Sequence, residues 1–231
     1  MQDDPIQIAL HEIANSLSHD FRAPLRRVQQ FVALIEKKHG AEFDAETAMW
    51  LGFINENTHR MQFMIECLAE LNSVTCYQGD SQAVELPPLI EKILVNLKGL
   101  ISETSASIVV ADDLPRLEAI PELLSLLLHK LIEYALRQGT ESDQKLIINL
   151  DLKLEGKQAI LNIRDNGPGI AAELLPNVFD LFNESQQADA KRSQDVSLAV
   201  CRHIAARLGT NLEVTSTLGV GSKFFFKLPL A

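Results

Sequence analysis

The chain has 231 residues, 46% of them hydrophobic, with 21 basic and 31 acidic side chains and a formal charge of -10. That is enough for one large domain or two small ones, each with a buried core. The acidic balance excludes general nucleic-acid binding, which rests on neutralising phosphates with Lys and Arg, and no apolar run is long enough to span a bilayer.

Met1-Gln2-Asp3-Asp4 is not a signal peptide, and Cys67, Cys76 and Cys201 have neither metal-ligand nor redox spacing. They are read as reduced residues of a cytoplasmic protein, with no metal site expected. From about Ile6 to Lys38 the apolar positions Leu10, Ile13, Leu17, Phe21, Leu25, Val28, Phe31 and Ile35 recur in steps of three and four. This predicts one long helix with that face buried, ended at His39-Gly40 by a left-handed glycine. His19 lies off the apolar face, and at about 100° per residue Arg22 and Arg26 share its side. An imidazole beside guanidinium groups, with Asp20 adjacent, is arranged to carry an anion. Pro24 removes the helical bond to the carbonyl of Asp20 and is expected to loosen or kink the helix there.

Asp44 is read as the N-cap of a second long helix with Leu51, Ile54, Thr58, Met61, Ile65, Leu68 and Leu71 on its apolar face, fading near Val74-Thr75. Two long helices joined by a short link make an antiparallel hairpin. Such stripes need a partner: either a second hairpin, giving a homodimer with a four-helix bundle, which is the preferred reading, or the rest of the same chain. Gly79-Asp80-Ser81-Gln82 marks the domain boundary, separating residues 1–79 from residues 80–231. Beyond it the expected elements are a helix over Leu86–Glu103, a strand over Ser107–Ala111 and a helix over Ile120–Gln138 ended by Gly139. Strands Leu146–Leu154 and Gln158–Arg164 form a hairpin across Glu155-Gly156-Lys157. A helix over Ser197–Leu208 is capped by Gly209, and a last hairpin pairs Asn211–Ser216 with Ser222–Leu228. The fold class is α+β: the helical hairpin, then an α/β sandwich with a mixed five-stranded sheet and helices on one face.

Asp165-Asn166-Gly167-Pro168-Gly169-Ile170 follows a strand. A carboxylate there can accept a hydrogen bond from an exocyclic amine, and the glycines let the backbone approach a flat ring or take positive φ. By itself the same run is also an ordinary turn. With the rest of the chain it becomes more specific. Ser18-His19-Asp20-Phe21-Arg22-Ala23-Pro24-Leu25 resembles the phosphoacceptor box of bacterial sensor histidine kinases, of the type common in phytochrome-like kinases. Asp165 to Gly169 resembles the family's first glycine box, Val178-Phe179-Asp180-Leu181-Phe182 its phenylalanine box, and Gly219-Val220-Gly221-Ser222-Lys223-Phe224 its last glycine box. The motifs stand in the family's order.

The resemblance implies a dimerisation and phosphotransfer hairpin followed by a Bergerat-type ATP-binding domain. His19 would be the phosphorylated nucleophile, Asp20 would orient it and take its proton, and Arg22 and Arg26 would contact phosphoryl oxygens or an acidic partner. The nucleotide-site positions would be Lys130, Tyr134, Asp165, Gly167, Gly169, Phe179 and Phe182. Several depart from the family pattern. Lys130 and Tyr134 stand where two asparagines belong, and a phenol lacks the carbonyl oxygen that ligates Mg²⁺. The second glycine box is replaced by Ser193-Gln194-Asp195-Val196-Ser197, with no glycine from Ile170 to Leu208. Ala23 has no side-chain hydrogen bond to position a water for phosphatase chemistry.

The preferred reading is therefore a phosphorelay protein that takes and passes a phosphoryl group at His19, with response-regulator receiver domains as partners and no cofactor. A histidine phosphotransferase is favoured over an ATP-dependent kinase. An active sensor histidine kinase using ATP and Mg²⁺ is the first alternative, and a non-catalytic dimeric regulator that sequesters a receiver or kinase is the second.

Overall fold

The computed structural model describes residues 5–139, 145–181 and 198–231, with side chains of the first helix from Asp20 onward. The chain divides into two compact units, Met1–Cys76 and Tyr77–Ala231. The first is a hairpin of helix α1 (Pro5–His39) and helix α2 (Ala45–Cys76). Helix α1 runs through Pro24 as one helix. Asp44 caps α2: its Oδ1 accepts from the Thr47 N–H at 2.8 Å, and the Thr47 hydroxyl first, then this backbone bond, hold its carboxyl below the usual carboxylate range. The Gln29 side chain of α1 reaches across to His59 at 3.2 Å and Gln62 at 3.3 Å on α2.

One expectation for the hairpin is corrected. Gly40 is not left-handed. Instead α1 runs into a 3-10 turn over Gly40–Glu42 without a residue at positive φ. Within one hairpin the apolar face of α1 is buried only in part. Leu25 and Val32, seven residues apart, are buried, whereas Phe21, Val28, Phe31 and Ile35 are exposed, Phe31 to 63%. On α2, Trp50, Phe53, Ile54, Met61 and Leu68 are likewise exposed. A helix with one neighbour buries only the strip that faces it, so stripes this wide stay open within one hairpin.

The second unit is built on a five-stranded sheet of β2 (Ser107–Val110), β4 (Ile147–Glu155), β5 (Gln158–Asp165), β7 (Gly221–Pro229) and β6 (Glu213–Thr217), in that spatial order. Strands β2 and β4 are parallel and the other pairs antiparallel, so the sheet is mixed. A two-stranded ribbon pairs β1 (Gln82–Val84) with β3 (Leu117–Ala119). Four helices accompany the strands: α3 (Leu86–Asn96), α4 (Lys98–Thr104), α5 (Pro121–Gln138) and α6 (Leu198–Arg207). The helix expected over Leu86–Glu103 is thus two, broken at the buried Leu97. Alternation puts Ala159, Leu161, Ile163 and Asp165 on one face of β5, opposite Leu228, Phe226 and Phe224 of β7 and Ile148 of β4, and all of these are buried. The same core holds Leu124, Leu127, Leu128, Leu131 and Ile132 of α5 and Cys201 and Ile204 of α6. Pleat periodicity therefore carries a carboxylate, Asp165, to the end of an otherwise apolar row.

Candidate functional site

His19, Asp20, Arg22, Pro24 and Arg26 all lie in α1. The His19 side chain is outside the described residues. Both arginines are exposed. They line a groove of about 510 Å³ whose other wall is Gln62, Glu66 and Glu70 of α2. The hairpin thus has an apolar side and, past the inter-helix strip, a charged groove next to the histidine's register.

The second unit brings the two glycine-containing runs together. Asp165 is 6% exposed, and its Oδ1 accepts from the Gly167 N–H at 2.8 Å and the Ser222 N–H at 3.2 Å. Burial pushes its carboxyl above the ordinary value of 3.8, against the pull of those bonds. Asn166 pins the loop to the start of β4: its Oδ1 accepts from Ile147 N–H at 2.7 Å and its Nδ2 donates to the Lys145 carbonyl at 3.0 Å. The Ile170 N–H donates to Ser216 Oγ at 2.7 Å, and the Gly219 N–H to the Pro168 carbonyl at 2.7 Å. Gly169 and Gly221 are required by this closeness. Both have positive φ, and a Cβ on Gly169 would lie 2.1 Å from the Thr217 carbonyl oxygen, one on Gly221 2.1 Å from that of Asp165. Two of the glycines a nucleotide-binding loop would need are therefore also what joins the two turns.

Helix α5 supplies the opposite wall. Tyr134 meets Phe224 edge-on, with ring centroids 5.4 Å apart, and Phe179 meets the same Phe224 at 6.4 Å. Burial first, then the charges of Asp165 and Cys201, raise the Tyr134 phenol well above its ordinary value, so it stays protonated. Lys130 is buried one turn earlier. Glu133, the residue before Tyr134, points elsewhere: its Oε1 accepts from Arg137 Nε at 3.0 Å and Nη2 at 2.8 Å. Phe182 and residues 193–197 lie outside the described residues. The structure thus gathers Tyr134, Asp165, Gly167, Gly169 and Phe179, and adds Ser222, Phe224 and Cys201, which motif reading did not assign to the site. Ser222 and Phe224 were already inside the last glycine-containing run, whereas nothing local marks Cys201.

Tested against a magnesium nucleotide, this wall fits at one end only. A fixed, buried carboxylate suits a base amine, but where the resemblance expects a metal ligand a neutral phenol packs on Phe224 and offers no carbonyl oxygen. Among the described residues no cluster of three His, Cys, Asp or Glu is placed to hold a metal ion, and no helix is long and apolar enough to cross a membrane.

Residues 119–231 match the family of histidine kinase-, DNA gyrase B- and HSP90-like ATPases. Over 221 residues, 96% of its length, the chain is 29% identical to cyanobacterial phytochrome A of a Nostoc species, covering 28% of that protein. It is also 25% identical to the alginate biosynthesis sensor protein KinB of Pseudomonas aeruginosa, covering 92% of this chain and 36% of that one. The chain therefore spans about a third or less of the length of these curated relatives. Full-length ShkA in complex with AMPPNP shares the fold at a TM-score of 0.62 and 20% identity, over 95% of this chain and 46% of that one. So does the histidine kinase ThkA in complex with the response regulator TrrA, at 0.62 and 19%, over 95% and 61%. The match of residues 119–231 to this ATPase family, and the likeness of nearly the whole chain to sensor kinases, support a two-component sensor histidine kinase core.

Proposed function

We propose that the chain is a phosphorelay protein that accepts a phosphoryl group on His19 from the aspartate of one receiver domain and passes it to another, without loading ATP itself. The observation that carries this reading is a contrast. The histidine box is intact and its arginines line an open groove, while the position where the resemblance expects the magnesium ligand is held by a half-buried Tyr134 whose phenol stays protonated.

In the transfer, an imidazole nitrogen of His19 attacks the phosphorus of the receiver's aspartyl phosphate. The N–P bond forms as the acyl P–O bond breaks, the receiver aspartate leaves as a carboxylate, and Asp20 takes the proton from the other ring nitrogen. Arg22 and Arg26 stabilise the phosphoryl oxygens and the acidic rim of the receiver. The complex of ThkA with a response regulator supports a receiver as the partner class. The exposed apolar side of the hairpin supports a homodimer through a four-helix bundle.

The test uses labelled phosphate. With a phosphorylated receiver, the protein gains acid-labile label that is lost in His19→Ala, and with Mg²⁺-ATP alone it gains none. Stoichiometric label on His19 from ATP overturns the reading in favour of an active histidine kinase. That second reading is favoured by the match of residues 119–231 to an ATPase family.

A further inference from the structure

The sheet of the second unit has a second face. Ala159, Leu161, Ile163 and Asp165 point into the core, so the alternate residues of the same strands point away from it. Strand register sets Val109, Asn149, Arg164, Lys223 and Thr215 in one row across all five strands on that outer face. Val109, Arg164 and Thr215 are exposed, and Asn149 and Lys223 half-buried. Arg164 stands directly opposite Lys223, and like charges so placed destabilise an isolated sheet. Among the described residues neither has a carboxylate partner. Lys223 Nζ lies 4.7 Å from the centroid of the Phe225 ring, and the Arg164 guanidinium makes no hydrogen bond or ion pair. The Asn149 amide and the Thr215 hydroxyl, which flank them, are likewise without a side-chain hydrogen bond among the described residues. Two acids of this face are engaged elsewhere: Asp151 Oδ1 accepts from Asn162 Nδ2 at 2.6 Å, and Glu155 Oε2 from Lys227 Nζ at 2.7 Å.

The row is thus a line of hydrogen-bond donors with two uncompensated positive charges, on a chain whose formal charge is -10. We propose that it is a docking surface for an acidic helix of a partner protein. Neighbouring strands are about 4.8 Å apart, and side chains at i and i+3 or i+4 on a helix are about 5–6 Å apart. A helix laid along the row therefore meets Arg164 and Lys223 with successive carboxylates, and Asn149 and Thr215 with the ones on either side. Charge also sets the width of the occupant. Asp151 and Glu213 stand in the next row, so a nucleic acid or an anionic membrane, which would cover both rows, is repelled where a single helix edge is not. This docking is independent of the chemistry at His19.

The isotope-labelled full chain is titrated with a blocked alanine-based peptide of about 20 residues that carries glutamate at every fourth position and is helical by circular dichroism, and with its glutamine counterpart. Two-dimensional NMR should show saturable shifts of the Asn149, Arg164, Lys223 and Thr215 amides with the glutamate peptide alone, weakening as salt is raised. Arg164→Glu with Lys223→Glu should weaken binding at least about tenfold, and Arg164→Gln with Lys223→Gln, which adds no repulsion, about fourfold. Because the two cations repel each other in the free chain, Arg164→Gln should melt no lower than wild type at low salt while it loses affinity. The proposal is overturned if the helical glutamate peptide gives no saturable shift, if the shifts map elsewhere, or if the glutamine peptide binds as tightly. It is also overturned if the double variants keep wild-type affinity, or if Arg164→Gln melts lower, which would give Arg164 a partner inside the fold. Tighter binding of a single-stranded DNA oligomer to the same row overturns it in favour of nucleic acid, and shifts of these amides on diluting the wild type alone overturn it in favour of a second copy.

Discussion

Arg22 and Arg26 stand one helical turn apart on the wall of a groove, free of the apolar side of the hairpin. If they hold phosphoryl oxygens through charge-assisted bonds, each worth about 1.5–3 kcal/mol, Arg22→Ala or Arg26→Ala slows receiver-to-His19 transfer by roughly 10- to 150-fold. Lysine at either position restores only part, since it keeps the charge and loses the fork. Rapid-quench transfer assays measure this, and unchanged rates remove the arginines from the chemistry. Asp165 carries a different prediction. Its carboxyl titrates above 3.8 in the folded chain because burial disfavours the charged form, so the folded state binds the proton more tightly than the unfolded state. Its contribution is favourable below 3.8 and is lost as pH rises through the folded value. Asp165→Asn removes that fall, so the difference in unfolding free energy between wild type and variant narrows at low pH and shifts toward the variant on raising the pH. Parallel denaturant titrations across the carboxylate range measure it, and a pH-independent difference excludes the effect.

At the level of elements, the joint between the β5 end and the β6–β7 turn depends on backbone closeness. Gly221→Ala combines a positive φ with a Cβ 2.1 Å from a carbonyl oxygen, so the chain must separate β7 from Asp165 to accept it. Left-handed strain alone costs about 1–2 kcal/mol, and the forced separation adds to that. Gly156→Ala, in the β4–β5 turn, meets nothing within 4 Å and should show the strain alone. Urea unfolding of the two variants should therefore rank Gly221→Ala well below Gly156→Ala. Equal losses would mean that the joint yields freely. Had α1 ended in a left-handed Gly40, it would have belonged to the same class, but its 3-10 turn leaves Gly40 replaceable without that strain.

For the whole molecule, the apolar side of the hairpin sets the expected assembly. Phe21, Val28 and Ile35 repeat every seven residues on α1 and are 40% or more exposed. That is the spacing of a helix-bundle seam. Burying each side chain contributes about 1.5–3 kcal/mol, so Val28→Asp with Ile35→Asp, present twice in a dimer, should raise the dissociation constant by several hundredfold or more. Light scattering after size exclusion should show wild type as a dimer and the double variant as a monomer that still melts cooperatively in its second unit. A wild-type monomer at micromolar concentration would refute the bundle.

The long helices, the Asp44 cap and the β4–β5 hairpin through Gly156 were legible because each is encoded by adjacent residues, in the period of apolar positions and the turn residues between them. The short pair β1–β3 was not, since three residues carry too little alternation to stand out. The break at Leu97 was missed for a related reason, because the apolar pattern continues across it. Asp165 and Tyr134 were recognisable as positions in a motif. Their neighbours were not: Ser222 reaches Asp165 across 57 residues, and Phe224 and Cys201 reach Tyr134 from a strand and a helix far along the chain. Such contacts follow from sheet register and from how α5 and α6 lie on the sheet, which no local signal specifies. The sequence by itself determined the long helices and the strands of the main sheet, and that a tyrosine stands where the resemblance expects an asparagine. The tertiary structure decided that this half-buried phenol packs on Phe224, in the same unit as a carboxylate fixed by two turns, because only packing brings those elements together.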